Sequence, residues 1–225
     1  MDAKAKIKTK PELAVIKEEK IPHLLLPGEV GAVLELTVKN KQGKVTEHRI
    51  MRSKSFVRQF LEMLWLQAVP IEEDLLYELR DINNVLLPIS ESSWNFGCVA
   101  AAGELDVGII VGTDSTPPDI DDYAIETLID HDAAPPTAGR LAYSDQVIAV
   151  PASDATTSQF TITRDFVNAS GGAITVNEIA LYVKGFIMRW SDWFTFMLIR
   201  DVIGGGVAVP AGETLTVNYR EQAVV

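Results

Sequence analysis

The sequence predicts a mainly β fold, an antiparallel, jelly-roll-like β-sandwich with an N-terminal arm and one or two packed α-helices. Apolar and polar residues alternate with a period of two through most of the second half of the chain. Turns rich in Gly, Pro and Asn interrupt this alternation about every ten residues, a spacing typical of sandwiches and barrels. One earlier stretch, about residues 54–67, instead repeats its apolar residues at helical spacing.

Residues 1–30 are predicted to be an extended arm, and residues 31–225 a single β-sandwich domain. Prolines at positions 11, 22 and 27 prevent a long helix in the arm. Its apolar residues are too hydrophobic to be left in water, so we expect them to contact the domain or a neighbouring copy. These interface candidates are Ile21, Leu24, Leu25 and Leu26.

The first part of the domain is predicted to hold a hairpin and a helix. Residues 33–50 alternate around a turn at 40–43, which predicts a β-hairpin with one solvated face. The helix at about 54–67 has a broad apolar stripe, which favours packing on a sheet over a ligand groove. Apolar residues between Ile71 and Ile82 fit a second short helix, and the remainder of 68–97 is predicted to be a less regular insertion.

The stretch 105–123 is the centre of the predicted domain, because a buried strand there leads into a long acidic loop with two prolines. Further strands follow near 141–150, 160–166, 174–183, 194–203 and 214–220. Arg164 and Arg200, each followed by Asp, are interpreted as inter-strand or inter-subunit ion pairs. The connection 185–194 is an interface candidate, with ordinary core packing as the open alternative. Its aromatic residues are Phe186, Trp190, Trp193 and Phe194.

Charge is distributed unevenly along the chain, whose net charge is −11. Residues 1–58 hold thirteen Lys and Arg against seven Asp and Glu, a balance of +6, and the remaining residues carry −17. The acidic total argues against direct nucleic acid binding. Two interpretations of the basic end stay open, namely a solvated tail and docking of that tail on an acidic neighbour such as another copy.

The single cysteine, Cys98, excludes an intramolecular disulfide and is expected to be a small core residue. The first ten residues are charged and are not followed by the apolar segment of a signal peptide. The longest apolar runs are about five residues, far fewer than a membrane span needs. We therefore expect neither a signal peptide nor membrane binding.

The sequence predicts no enzyme and no cofactor. His23, His48 and His131 lie far apart, and none belongs to a nucleophile, zinc or acid–base motif. Four loop aspartates are candidates for calcium ligands. However, EF-hand spacing is missing, and aspartates in turns commonly cap backbone groups, so we predict no metal site. The four are Asp114, Asp119, Asp121 and Asp122.

Four segments carry a family resemblance: SFVRQFLEML (55–64), GIIVGTDSTPPDIDDYAIETLIDH (108–131), FTITRDFVNASGGAITVNEIALY (160–182) and FMLIRDVIGGGVAVPAGETLTVNYR (196–220). The last contains a strand ending in Arg200 and Asp201, a variable loop, a Pro-x-Gly turn at 210–212 and a Thr-rich alternating strand. In this order the segments, which cover more than a third of the chain, resemble a group of structural proteins of tailed bacteriophages.

The resemblance implies a virion protein, assembled in the host cytoplasm, whose partners are copies of itself and other virion proteins. It does not distinguish a head decoration or vertex protein from a tail component. We therefore predict a non-enzymatic structural component that assembles as a homo-oligomer on the head or tail through its arm and loops. The alternative is a receptor- or glycan-binding β-sandwich module of a tail, assisted by calcium.

Overall fold

The computed structural model describes residues 25–26, 29–53, 56–57, 59–60, 77–89, 97–132, 137–187 and 191–224. Within these ranges the chain is mainly β and its sheets are antiparallel, as predicted. No helix among these residues combines the length and apolar character that a membrane span requires. The strands are β1 (Val30–Lys39), β2 (Val45–Arg52), β3 (Tyr77–Arg80), β4 (Leu86–Ile89), β5 (Gly108–Gly112), β6 (Ala142–Tyr143), β7 (Val147–Ile148), β8 (Ala152–Ser153), β9 (Thr157–Val167), β10 (Ile174–Ile187), β11 (Asp192–Val209) and β12 (Thr214–Val224).

The larger sheet, sheet A, has the strand order β2–β1–β12–β9–β6, and β7 and β8 also pair with β9. Its β1–β2 hairpin confirms the one predicted for residues 33–50. Leu34 and Leu36 of β1 belong to the core. Glu35, between them, points the other way and bonds to His48 at 2.9 Å and Arg220 at 3.2 Å. Sheet A therefore has one apolar face and one polar face, as its alternating sequence indicates.

The smaller sheet, sheet B, has the order β11–β10–β5 and is covered on both faces. All five residues of β5 are buried, as is every residue from 178 to 183 of β10. Such continuous burial means that neither face of sheet B meets solvent along this stretch. The β10–β11 ladder continues to the Ile187–Asp192 pair. Of the predicted connection 185–194, the described part, apart from Ser191, therefore belongs to two strands.

Sheets A and B share a single core, to which both contribute buried side chains. Tyr219 of β12 crosses between them, because its hydroxyl lies 3.4 Å from the Ile179 carbonyl and 3.2 Å from the Asp201 carboxylate. Arg164 of β9 likewise reaches sheet B and donates to the Ile109 carbonyl at 3.0 Å.

Strands β3 and β4 form a separate hairpin that is attached to β11, where the Ile82 amide donates to the Thr195 carbonyl at 3.1 Å. The predicted second helix is therefore wrong over its described residues. The Asp81 carboxylate accepts from the Asn83 and Val85 amides and so shapes a turn. This turn sets Leu79 opposite Leu87, and both are buried. Leu79 and Ile82 have helix-like spacing, but Leu79 lies in strand β3 and Ile82 lies in the turn that follows it.

The predicted helix at 54–67 lies mostly outside the described residues. At its start Phe56 forms an antiparallel bridge with Ile199, and the Val57 amide donates to the Leu198 carbonyl at 3.1 Å. Gln59 and Phe60 are helical. The segment therefore begins as an extension of sheet B beside β11, a pairing that periodicity did not indicate.

Candidate functional site

A long acidic loop, residues 113–128, covers the face of sheet B that is turned away from sheet A. The Asp201 side chain contacts Tyr219 of sheet A, and Ile179 is paired with Asp201 across the β10–β11 ladder, so both side chains face sheet A. Side chains alternate along a strand, so Glu178 and Arg200, next to them in sequence, point in the opposite direction. There they meet the acidic loop, which contains five carboxylates and neither Lys nor Arg.

Glu178 is the main anchor of the acidic loop, although 0% of its side chain is exposed. Its carboxylate accepts hydrogen bonds from the amides of Asp114 at 3.2 Å, Glu126 at 3.2 Å and Thr127 at 2.9 Å. Gly112 permits this close approach, because a Cβ there would lie 2.6 Å from a Glu178 carboxylate oxygen. One buried carboxylate thus holds both ends of the loop.

Arg200 neutralises Glu178 and extends the anchor to the middle of the acidic loop. Its guanidinium, also 0% exposed, lies 2.9 Å from Glu178 and 2.8 Å from Asp122. The Asp114 carboxylate is 3.8 Å away. Of the two predicted ion pairs at Arg-Asp sequences, the one at Arg200 is therefore present, and its partners belong to the same chain.

Three of the four predicted calcium candidates are used to shape the acidic loop. Asp114 accepts from the Thr116 amide at 2.6 Å, and hydrogen bonds from Thr116 lower the pKa of the Asp114 carboxyl. Asp119 accepts from the Asp121 amide at 2.9 Å, and Asp122 accepts from the Asp119 amide at 2.9 Å. Asp121 is exposed. The described ranges contain no group of three acidic, His or Cys side chains arranged to hold a metal ion.

Between the acidic loop and the β3–β4 hairpin lies a cleft of about 470 Å³, called here the loop–hairpin cleft. Arg80 lies in it with its guanidinium 5.6 Å from the centre of the Tyr123 ring, and it also donates to Asn84. Leu86 and Ile120, 47% and 53% exposed, belong to opposite sides. The lining residues are Gln59, Glu78, Arg80, Asn84, Leu86, Ile120, Asp121, Asp122 and Tyr123.

The predicted interface residues are found in different environments. Leu25 is buried on the polar face of sheet A against Val33 and Val224, whereas Leu26 is 61% exposed. The Phe186 and Trp193 rings meet edge to face with their centres 5.5 Å apart, and Trp193 is 52% exposed. Phe194 is partly buried against the core. Ile21, Leu24 and Trp190 lie outside the described residues.

Arg164 forms a second buried charged centre, which the sequence prediction assigned to an ion pair. Its guanidinium is 0% exposed and instead contacts five backbone carbonyls. The distances are 3.0 Å to Ser144, 3.4 Å to Val107, 3.0 Å to Ile109, 2.9 Å to Ala101 and 2.9 Å to Glu104. The guanidinium also lies 4.9 Å from the centre of the Tyr143 ring. Arg164 thereby fastens the segments before β5 and β7 to sheet A.

Two of the three histidines and the single cysteine lie among the described residues. His48 bonds to Glu35, and the His131 Nδ1 accepts from the Tyr143 amide at 3.0 Å. Burial raises the pKa of the Cys98 thiol to about 11, so this thiol is protonated and unreactive at neutral pH. His23 lies outside the described residues.

No family model matches this sequence, and neither a curated protein nor a solved structure is similar to it. What the protein does must therefore be inferred from its own residues and geometry.

Proposed function

We propose that this protein is a non-enzymatic structural component of a tailed-bacteriophage virion. In this proposal it is an antiparallel, jelly-roll-like β-sandwich that assembles as a homo-oligomer on the head or tail. Its arm and loops make the contacts between subunits. The proposal combines the resemblance of four segments to phage structural proteins with the way this chain uses its buried charges.

The observation that carries the proposal is that the buried charged side chains hold loops against sheets. Glu178 and Arg200 fix the acidic loop at both its ends and its middle. Arg164 fixes the segments beside β5 through carbonyl oxygens. Buried charges that meet backbone groups and counter-ions in this way are held by several partners in their own chain, which makes the loops rigid. Rigid loops on a sheet scaffold are suited to shape-based contact.

Exposed apolar groups at the ends of these rigid elements support a role in association. Trp193 is half exposed at the end of the β10–β11 hairpin and is supported by Phe186. Leu86 and Ile120 are exposed on the two sides of the loop–hairpin cleft. Aromatic and aliphatic side chains with fixed geometry are typical anchors of protein interfaces.

The receptor- or glycan-binding alternative needs carboxylates that are free to bind calcium. Asp114, Asp119 and Asp122 already accept hydrogen bonds from amides of their own loop. Moreover, Arg200 supplies a positive charge where a cation would bind. The geometry therefore favours the structural role. Chelator-sensitive binding of labelled protein to host cells, lost in Asp119→Ala, would favour the alternative instead.

The test is to measure the native mass of the purified chain and to locate labelled protein on phage particles by electron microscopy. We expect a discrete homo-oligomer that attaches to particles. Signal over the head surface would identify a decoration protein, and signal at one vertex a tail or connector component. A chain that stays monomeric at micromolar concentration and is missing from particles would refute the proposal.

A further inference from the structure

We propose that the loop–hairpin cleft binds the lysine-rich segment 1–10 from a second copy of this chain. This inference rests on the proposed homo-oligomer and names the contact that would form it. It rests on four observations: the charge of the cleft, its shape, the composition of the segment, and the place where the arm meets the domain.

The cleft is acidic and concave. Glu78 contributes a carboxylate from the hairpin side and Asp121 contributes one from the loop side, whereas the Asp122 carboxylate is already paired with Arg200. Arg80 is the cation among the lining residues, and it is held at one wall by Tyr123 and Asn84. Low-dielectric walls around like charges concentrate the potential, so such a cleft attracts cations more strongly than a flat acidic surface does.

Segment 1–10 is complementary to this cleft in charge and pattern. It contains four lysines and one aspartate, with the lysines at positions 4, 6, 8 and 10. In an extended chain, residues two apart lie on the same side and are roughly 7 Å from one another. If segment 1–10 bound in an extended form, its four ammonium groups would lie on the side that enters the cleft, and Ala3, Ala5 and Ile7 on the other side. The exposed side chains of Leu86 and Ile120 offer apolar surface beside the charges.

The place where the arm meets the domain favours a contact between copies. Leu25 is buried against Val33, on the outer face of sheet A. The cleft lies beyond the outer face of sheet B, since Asp122 is bound there by Arg200. Arm and cleft are thus on opposite sides of the domain. A contact between them is heterologous, and repeated head to tail it produces a ring or an open array.

The test uses two full-length variants with opposite charge changes. The arm variant carries Lys4→Glu, Lys6→Glu, Lys8→Glu and Lys10→Glu, and the cleft variant carries Glu78→Lys and Asp121→Lys. Each alone is expected to self-associate about tenfold more weakly than the wild type, because each opposes like charges. Mixed in equal amounts, the two are expected to associate with each other about as well as the wild type does with itself. Native mass spectrometry measures all four samples.

The matched control is Glu47→Lys with Asp106→Lys, which changes the net charge as the cleft variant does. Both residues form surface ion pairs and neither lines the cleft. This control is expected to keep wild-type association. Recovery in the mixture is a gain of function that misfolding cannot produce. Full association of either charge variant alone, or no association in a mixture of two folded variants, would overturn the inference.

A direct measurement separates this contact from the proposed function. A labelled peptide of residues 1–20 is titrated into the full-length arm variant, whose cleft is intact, at low and high salt. We expect binding that weakens with salt and that the cleft variant lacks. If the wild type is an oligomer but the arm variant does not bind the peptide, the cleft contact is refuted and the oligomer stands. A monomeric wild type that binds the peptide would refute both the oligomer and the second copy as its source.

Discussion

Replacing Arg164 with Met tests whether the buried guanidinium holds the segments around β5 in place. The substitution keeps an unbranched side chain but removes the donors to five carbonyl oxygens, which lie 2.9 to 3.4 Å away. At about 1 kcal/mol of net stability for each hydrogen bond, the loss is about 5 kcal/mol. Met has no charge to desolvate, which offsets part of this. We expect the free energy of unfolding to fall by about 3–4 kcal/mol.

The assay is urea unfolding followed by tryptophan fluorescence, with the midpoint and slope fitted for each variant. Arg220→Met is the matched control, because Arg220 lies on the neighbouring strand β12 and forms one ion pair with Glu35 at 3.2 Å. Its side chain is 21% exposed, so its removal should cost less than about 1 kcal/mol. Equal losses for the two variants would refute the reasoning that burial and carbonyl contacts make Arg164 important.

Three further changes test the anchor, the partly buried carboxyl of Glu221 and the surface. Glu178→Gln should leave Arg200 without its buried counter-ion and place an amide donor against loop amides. Hydrogen exchange at Asp114 and Thr127 should then become much faster, and unchanged exchange would contradict the anchor. Burial, together with Asp201, raises the pKa of Glu221 to about 7 from 4.5. The folded protein therefore keeps a proton that the unfolded chain releases, and stability should fall as pH rises from 4.5 to 7, by up to about 3 kcal/mol. Urea unfolding at pH 5 and pH 8 should show a smaller difference in Glu221→Gln than in the wild type, and equal differences would argue against the raised pKa. Trp193→Ser should weaken self-association in native mass measurements while shifting the unfolding midpoint little, whereas a large loss of stability would assign Trp193 to the core.

The parts of the fold that could be predicted from the sequence are the strands that have one face exposed to solvent. The strands near β1, β2, β9 and β12 alternate cleanly, because polar residues such as Glu35 and Thr216 face outward between core residues. Sheet B gives a weaker signal, since both its faces are covered and its strands are nearly continuous apolar runs. Periodicity alone could therefore locate β10 but not say what covers it.

The β3 strand shows why short apolar segments were misassigned. The spacing of Leu79 and Ile82 fits a helix over one turn, and a four-residue strand offers too few residues to display a period of two. What fixes the hairpin is the Asp81 carboxylate bonding to amides two and four residues later. A turn residue, and not the apolar pattern, therefore determines this element.

The sequence predicted that a buried strand leads into the acidic loop, as β5 does, but it did not predict the anchors of that loop. Glu178 lies 64 residues beyond the Asp114 amide that it binds, and only sheet registration brings them together. One local signal was present. Arg164 lies two residues from both Ile162 and Phe166, so it shares their face of β9. Because Ile162 and Phe166 are core residues, the alternation itself predicted that the Arg164 charge is buried. A charge at an apolar position predicts a buried network more directly than it predicts a surface ion pair.

The residue types of the anchors Glu178 and Arg200 follow from the backbone groups that the acidic loop presents to sheet B. The acidic loop meets sheet B with backbone amides at Asp114, Glu126 and Thr127, and an apolar side chain in place of Glu178 would leave those donors unpaired at about 1–3 kcal/mol each. A carboxylate can accept all three at once. Once buried, its charge needs a cation, which Arg200 supplies, and the Nη1 of Arg200 then donates to Asp122. A loop held in this way keeps Ile120 and Asp121 in one arrangement before a partner arrives, so less conformational entropy is lost when the loop is bound.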